Sequence, residues 1–360
     1  MISGGGTGGH IFPALAIADA LKERYPEAEF LFVGAQDRME MQRVPAAGYK
    51  IEGLWISGIQ RSLSAKNLAF PFKLLSSLSK SARLLRRFKP HAVIGTGGFA
   101  SGPLLYMAHR KNIPTLIQEQ NSYPGITNKI LAAKARKICV AYPNMKRFFP
   151  KEKIVLTGNP IRKNLQAALP AQKAAKKSLG FSADAPLLLI LGGSLGARRI
   201  NELVQDSLSD FEEAGLQTLW QCGKLYHQAL STQLSLSKNV QLQAFLEDMP
   251  TAFAAADLVV SRAGAGTLSE LAVVKKASVL VPSPNVAEDH QTKNAQALSQ
   301  KEAALLFKES GAAHDFSKLV VNLCQDPLKR KSLEENIAKL ALPNAAETIV
   351  DEIQKLLPNA

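Results

Sequence analysis

Three glycine-rich segments are the parts of this sequence best suited to chemistry, and they run over 4–9, 95–102 and 192–196. Glycine lets backbone N–H groups approach a phosphate closely. A helix that begins directly behind such a turn adds partial positive charge. The pattern therefore predicts loops that bind phosphate-bearing ligands at three places in the chain, which we call the first, second and third glycine loops.

Two side chains could act beside these loops. His10 ends the first loop, and a neutral imidazole could take a proton from a ligand hydroxyl. Glu270 follows a fourth glycine-containing turn at 261–269, and we expect it in the first turn of a helix, where its carboxylate could accept hydrogen bonds from ribose hydroxyls. Structural interpretations stay open, because a lone histidine is often structural and an acid near a helix start can simply stabilise the helix.

Gly4, Gly6 and Gly9 also fit the G-x-G-x-x-G fingerprint of dinucleotide-binding enzymes. That fingerprint requires an acidic residue at the end of the second strand. The nearest acid here, Asp37, lies in the following loop. A nicotinamide or flavin enzyme therefore stays open only as an alternative.

Neither a metal nor a cofactor is predicted. The sequence has no Asp-x-Asp motif, and His290 has no nearby Cys or His partner. The three cysteines lack the spacing of a disulfide framework or a zinc site. Since no signal region and no long apolar run occur, the pattern indicates a soluble protein in a reducing compartment.

Short apolar runs alternate with helical stretches, which predicts an α/β fold with parallel sheets. The first series of expected strands covers 30–33, 92–95, 115–118, 137–141 and 154–157. The second covers 187–191, 216–221, 240–244, 258–261, 278–281 and 304–307. The Gly-Asn-Pro turn at 158–160 separates the two series, so we expect domains at 1–160 and 161–342, with a final helix at 343–360 that could pack onto either.

The 360-residue chain carries a net charge of +14, and the whole excess lies in its first half. Residues 1–160 contain 23 Lys and Arg against 9 Asp and Glu, whereas 161–360 contain 21 of each kind. No acidic residue occurs between Glu52 and Glu119. This concentration of positive charge in one half of the chain indicates an anionic partner, which could be nucleic acid, an anionic bilayer or a phosphate-rich substrate.

Residues 72–87 combine apolar and basic residues at helical spacing. The segment directly before them, 68–72, consists of further apolar residues. Basic residues around an apolar tip are typical of a peripheral membrane contact, although a surface helix with its apolar face in the core is the simpler interpretation. Nucleic acid is not predicted, because no nucleic-acid motif occurs. The candidate membrane residues are Leu68, Phe70, Phe72, Lys73, Lys80 and Arg83.

Six segments, taken in order, carry a resemblance that covers essentially the whole chain. They are GGGTGGHIFPA at 4–14, GTGGFASGP at 95–103, QEQN at 118–121, TGNPIR at 157–162, GGSLGA at 192–197 and DHQTKNA at 289–295. The ordered set resembles the GT-B glycosyltransferases that transfer N-acetylglucosamine in bacterial peptidoglycan synthesis.

The resemblance implies two Rossmann-like parallel-sheet domains that face each other across a cleft. It also implies an inverting transfer, without an active-site metal, from UDP-N-acetylglucosamine to the muramyl 4-hydroxyl of an undecaprenyl-diphosphate-linked muramyl peptide. Domain 1–160 would face the acceptor and the membrane, and 161–342 would hold the donor. The protein would lie peripherally on the anionic, cytoplasmic face of the inner membrane.

The same resemblance assigns roles residue by residue. The candidate bases are His10 and Glu119, and the acceptor diphosphate would meet Gly6, Thr7, Gly97, Gly98 and Ser101. The donor would be bound by Thr7, Gly8, Gly9, Asn121, Arg162, Ser194, Leu246, Ala265, Gly266, Thr267, Leu268, Ser269, Glu270 and Gln291. Within that set, Ser194 and Arg162 would lie at the diphosphate, Leu246 at the uracil, Glu270 at the ribose and Gln291 at the sugar.

One departure from the family concerns the first strand, because only Met1, Ile2 and Ser3 precede the first glycine loop. We therefore expect that a few added apolar N-terminal residues would raise the melting temperature. Three alternatives stay open: another GT-B enzyme, such as a UDP-sugar 2-epimerase or a lipid glycosyltransferase; a nicotinamide oxidoreductase; and a membrane-recruitment scaffold that binds nucleotide-sugar without turnover.

Overall fold

The computed structural model describes residues 1–58, 69–165, 167–193 and 195–357. The chain divides into two compact units. The first comprises residues 1–161 together with the C-terminal segment from Leu342, and the second comprises Arg162–Ala341. Each unit is an α/β layer structure around one sheet.

The first unit contains a seven-stranded sheet in the order β3-β2-β1-β4-β5-β6-β7, and every pairing in it is parallel. Its strands are β1 (Ile2–Gly4), β2 (Leu31–Ala35), β3 (Lys50–Leu54), β4 (Val93–Gly97), β5 (Thr115–Glu119), β6 (Lys137–Val140) and β7 (Ile154–Leu156). Its helices before the second unit are α1 (Gly8–Arg24), α2 (Glu40–Ala46), α3 (Phe70–Phe88), α4 (Ser101–Arg110) and α5 (Ile126–Ala132).

The second unit contains a six-stranded parallel sheet in the order β10-β9-β8-β11-β12-β13. Its strands are β8 (Leu187–Leu191), β9 (Gln217–Gln221), β10 (Val240–Gln243), β11 (Leu258–Ser261), β12 (Ser278–Leu280) and β13 (Leu305–Leu306). Its helices are α6 (Gln172–Ser178), α7 (Arg198–Glu213), α8 (His227–Gln233), α9 (Met249–Ala255), α10 (Ala265–Val273), α11 (His290–Ser299), α12 (Ala313–Gln325) and α13 (Pro327–Ala338).

The last helix, α14 (Ala345–Gln354), returns to the first unit. Its Ile349 and Ile353 join a core cluster with Ile11 and Ile17 of α1 and with Phe32 of β2. Leu84 of α3 and Leu104 of α4 belong to a separate cluster with Val33. Because successive strand residues point to opposite faces, Phe32 and Val33 place helices on both sides of the sheet.

The prediction of an α/β fold with parallel sheets is confirmed. All eleven expected strands are present, and their ends coincide with the expected ones or differ by one or two residues. A first strand was expected only from the resemblance and as a truncated one, yet β1 pairs with both β2 and β4 through Ile2; β3 was not predicted. β1 has only three residues, which are too few to show a strand pattern, and it ends in a glycine. A glycine also interrupts β3 and hides its pattern.

Candidate functional site

The glycine loops lie at the two points where the strand order of a sheet reverses. The first and second loops follow β1 and β4, which are adjacent strands at the reversal in the first unit. The third loop follows β8, and the glycine turn at 262–264 follows the adjacent β11. In open parallel sheets such reversals form crevices at the carboxyl ends of the strands, where ligands bind.

The first two glycine loops contact each other directly. The amide of Gly5 donates to the carbonyl of Gly97 over 3.3 Å. Gly98 has a φ of +88°, and a Cβ there would collide with the carbonyl oxygen of Gly5. Only glycine allows this approach without strain, so the structure brings together two loops that are far apart in the sequence.

His10 lies in the first turn of α1 and is held against this pair of loops. Its Nδ1 atom is 3.0 Å from the carbonyl oxygen of Gly5 and 3.3 Å from the hydroxyl of Thr7. Because a carbonyl oxygen can only accept, the bond to Gly5 places the proton on Nδ1 and the lone pair on Nε2. The ring packs against Gly97, where a Cβ would approach to 2.8 Å. This tautomer is the one that a general base working through Nε2 requires.

Glu40, at the start of α2, is a site residue that the sequence analysis missed. Its carboxylate is fully buried and accepts the amides of Gly6 and Ala35, each over 3.0 Å. The side chain occupies space beside Gly5 and Gly34, where a Cβ on either glycine would overlap it. The sequence analysis named Asp37 as the nearest acid to β2, but the acid that reaches the first loop is one turn further on.

Two residues expected at an acceptor diphosphate are already engaged within the loops. The amide of Gly6 is the one that donates to Glu40. The Ser101 hydroxyl is buried and bonds the carbonyls of Ser3 (2.9 Å) and Gly97 (2.8 Å). In this structure both groups are therefore used within the loops, and their binding of phosphate stays a prediction. Thr7, Gly8 and Gly9 instead stand at the N-terminal end of α1, where helix amides lack intrahelical partners.

Glu119 does not have the surroundings of a general base. Its buried carboxylate accepts from the Asn121 amide (3.0 Å), the Gly125 amide (3.2 Å) and the side chains of Asn121 and Asn128 (3.3 and 2.8 Å). Burial raises the pKa of Glu119 against the opposing effect of these donors. In this structure Glu119 fixes the turn that carries Asn121, because its lone pairs are committed to that turn, and its catalytic role stays a prediction.

The third glycine loop is packed tightly against the end of β9. The amide of Gly192 donates to the carbonyl of Gln221 over 3.0 Å. Gly196 and Gly223 both have positive φ and lie so close that a Cβ on Gly223 would overlap Gly196. The loop leads into α7, as expected from the sequence. The expected diphosphate ligand Ser194 lies outside the described residues.

Glu270 and Arg162 form an ion pair in the second unit. Arg162 Nε lies 3.2 Å from Glu270 Oε1, and the carboxylate is almost buried. Burial raises the pKa of Glu270, and the Arg162 charge opposes that rise. Since α10 begins at Ala265, Glu270 lies in its second turn and not in the first as expected. A Cβ at Gly266 would meet nothing within 4 Å, so the first turn of α10 has open space beside it.

The remaining candidates for donor binding differ in which of their groups are exposed and which are already hydrogen-bonded. Ala265, Gly266, Thr267, Leu268 and Ser269 form the first turns of α10, the helix that also carries Glu270. The Leu246 side chain is buried, whereas the neighbouring Phe245 is 42% exposed. Gln291 uses its side-chain oxygen to accept the Ser283 amide over 2.9 Å. Leu246 therefore presents little of its side chain, and its contact with the uracil stays a prediction.

Among the described residues, the exposed candidates for membrane contact lie on α3. Phe72 and Leu75 are 69% and 66% exposed, whereas Phe70 packs against the core. The ammonium of Lys80 lies 3.1 Å from Glu52 and 2.8 Å from the Gly53 carbonyl, so this cation is paired within the first unit.

Lys73 bonds Ser57 over 3.0 Å, Arg83 is exposed, and Leu68 lies outside the described residues. No helix in residues 1–58, 69–165, 167–193 or 195–357 is both long enough and apolar enough to span a bilayer.

Comparison with known proteins places this geometry among the glycosyltransferases. Residues 1–140 match the model of the glycosyltransferase family 28 N-terminal domain, and 187–349 match that of the C-terminal domain. The chain is 54% identical to a protein of Christiangramia forsetii, over 100% of this chain and 98% of that protein. That relative is named UDP-N-acetylglucosamine--N-acetylmuramyl-(pentapeptide) pyrophosphoryl-undecaprenol N-acetylglucosamine transferase.

A relative of the same name from Flavobacterium psychrophilum is also 54% identical, over 99% of this chain and 97% of that protein. Among solved structures, MurG of Acinetobacter baumannii matches with a TM-score of 0.80 and 32% identity, covering 99% of both chains. A putative UDP-N-acetylglucosamine 2-epimerase of Listeria monocytogenes matches with a TM-score of 0.67 at 12% identity, which shows a shared fold only.

Proposed function

Because the chain belongs to glycosyltransferase family 28, we propose that it transfers N-acetylglucosamine from UDP-N-acetylglucosamine to undecaprenyl-diphosphate-linked muramyl pentapeptide. The observation that carries this function is the 54% identity that extends over the whole chain to a relative named for this reaction. The product would be the disaccharide lipid precursor of peptidoglycan. Two parallel-sheet α/β units are the architecture of GT-B enzymes, as the resemblance implied.

The donor is assigned to the second unit. The third glycine loop and the first turn of α10 present backbone amides at adjacent strand ends, which suits a diphosphate. Glu270 supplies a carboxylate that can accept the ribose hydroxyls, and Arg162 supplies a cation beside it. Gln291 and the backbone of Leu246 would complete the contacts to the sugar and the uracil.

The acceptor is assigned to the first unit, at the paired first and second glycine loops. The amides at the start of α1 would meet its diphosphate. His10 would accept the proton of the muramyl 4-hydroxyl at Nε2 while that oxygen bonds to the anomeric carbon of the donor. The bond from the anomeric carbon to the phosphate oxygen breaks, and UDP leaves with the electron pair. Inversion at carbon follows from a single displacement.

The membrane is assigned to the exposed end of α3. Phe72 and Leu75 offer apolar side chains to the bilayer, and the excess of Lys and Arg in residues 1–160 supports attraction to anionic lipid. The protein would then lie peripherally on the cytoplasmic face of the inner membrane, where its acceptor lipid is embedded. Nucleic acid is not among the proposed partners.

The test is transfer of labelled N-acetylglucosamine with and without the lipid acceptor. We expect label in the lipid fraction only when both substrates are present. A 2-epimerase would convert the donor without acceptor, and a nicotinamide enzyme would need a redox cofactor. Consumption of donor that does not depend on acceptor, or no transfer at all, would contradict the proposal.

A further inference from the structure

The peptide group between Gly5 and Gly6 connects two side chains of the first unit. Its N–H, which belongs to Gly6, donates to Glu40 Oε2 over 3.0 Å. Its C=O, which belongs to Gly5, accepts from His10 Nδ1 over 3.0 Å. The buried carboxylate and the imidazole are therefore joined through the two ends of one planar, delocalised amide.

We propose that Glu40 is a positioning residue for His10 and acts on the imidazole through the Gly5–Gly6 peptide. A buried anion at the N–H end polarises the amide and increases the negative charge on its carbonyl oxygen. A more negative oxygen binds the Nδ1 proton more strongly, because hydrogen bonds in series reinforce one another in a low-dielectric interior. The effect fixes the Nδ1–H tautomer and raises the basicity of Nε2. The inference rests on the proposed function, since it assumes that His10 is the base.

The surroundings of Glu40 support a role in the loop rather than simple filling of the core. The carboxylate is fully buried, yet both recorded partners are backbone amides at the carboxyl ends of strands: Gly6 after β1 and Ala35 at the end of β2. Room for it is made by Gly5 and Gly34, which lack the Cβ atoms that would overlap it. A carboxylate that accepts two amides costs less to bury than an unpaired one, and it holds Gly6 at its φ of +84°.

A double-mutant cycle of Glu40→Gln and His10→Ala tests the proposal through kcat for transfer. Glutamine has nearly the same shape, but it offers only one accepting oxygen to two amides and carries no charge. We expect Glu40→Gln to lower kcat by about tenfold to a hundredfold in the native background and to have almost no effect in the His10→Ala background. Equal losses in both backgrounds would overturn the proposal. Glu52→Gln, which removes another carboxylate of the first unit, is the matched control and should leave kcat unchanged.

A second measurement does not depend on whether Glu40→Gln folds. The nitrogen chemical shifts of 15N-labelled histidine in the native protein distinguish the two neutral tautomers, and the His10 signal is assigned by its loss in His10→Ala. We expect the Nδ1–H form at neutral pH. An Nε2–H form would overturn the proposal without touching the proposed transfer reaction, which the native enzyme tests separately.

Discussion

Arg162 Nε lies 3.2 Å from Glu270 Oε1, so a half-exposed guanidinium covers one oxygen of a nearly buried carboxylate. Arg162 directly follows the end of the first unit, whereas Glu270 lies on α10. Burial raises the pKa of Glu270, and the Arg162 charge acts in the opposite sense. Arg162 thereby favours the ionised carboxylate, which is the form that accepts hydrogen bonds from ribose hydroxyls.

Glu270→Gln should weaken donor binding. The amide removes the charge that strengthens the hydrogen bonds to the ribose, so we expect KM for UDP-N-acetylglucosamine to rise by about tenfold to a hundredfold. KM for the lipid acceptor should stay close to its native value. The matched control is Asp184→Asn, which removes an exposed ion pair with Lys173 in the same unit and should leave both KM values unchanged. A membrane-recruitment scaffold has no turnover to lose, so under that alternative Glu270→Ala and His10→Ala would keep the function of the native protein.

Gly98→Ala should distort the paired glycine loops. Its φ is +88°, and the new Cβ would meet the Gly5 carbonyl, so we expect a loss of about 1–3 kcal/mol in the free energy of unfolding together with a higher acceptor KM. Gly125→Ala is the control, because Gly125 has a φ of −65° and open space around it. Thermal unfolding and steady-state kinetics of the two variants provide the comparison, and an effect of equal size in both would contradict the steric argument.

The amino group of Met1 should make stability depend on pH in a chain that begins at this residue. It is buried and donates to the Ala92 carbonyl over 2.9 Å, and burial lowers its pKa from 8.0 to about 5. Between those values the unfolded chain binds more protons than the folded one, so this contribution to stability is full above pH 8 and is lost as the pH falls to 5. The difference between the two pKa values corresponds to about 4 kcal/mol in the free energy of unfolding.

An added N-terminal segment of about four to six apolar residues tests this prediction through unfolding measured across that pH range. The segment would move the charge away from Ala92 and could extend β1 in the middle of its sheet. We expect a higher melting temperature and a shallower pH dependence than in the chain that begins at Met1. His109, whose pKa burial lowers to about 4, contributes in the same sense to both chains and cancels in the comparison. An unchanged melting temperature would count against the prediction.

Binding to vesicles should need both the apolar end of α3 and anionic lipid. Replacing Phe72 and Leu75 by serine removes two exposed apolar side chains, and we expect vesicle binding to fall by about tenfold or more. Native binding should also weaken as salt is raised, because salt screens exposed charges. Leu328→Ser is the control, since Leu328 is more exposed still but lies in the second unit. Binding that does not respond to salt would remove the electrostatic part of the proposal.

Much of the fold was predictable because local patterns determine it. Strands such as Leu187–Leu191 are uninterrupted apolar runs, which a sheet covered on both faces requires, and the glycines that follow them mark the strand-to-helix turns. The positions of the glycine loops at the strand ends, and of His10 directly behind the first loop, follow from the order of residues alone. The roles that the resemblance assigned to individual donor residues stay predictions.

The partners of the polar side chains were decided by tertiary structure. Glu40 reaches Gly6 only because β1 and β2 are adjacent, and the oxygens of Ser101 and Glu119 are engaged by neighbouring backbone groups. Likewise, Lys80 meets Glu52 of β3, a strand that the sequence pattern did not predict. The spacing of apolar residues and the residue types that favour turns depend on a few neighbouring residues, so strands, helices and turns can be predicted along the chain. The partner of a hydrogen bond depends on which distant strands lie side by side, and that is settled only when the sheet assembles.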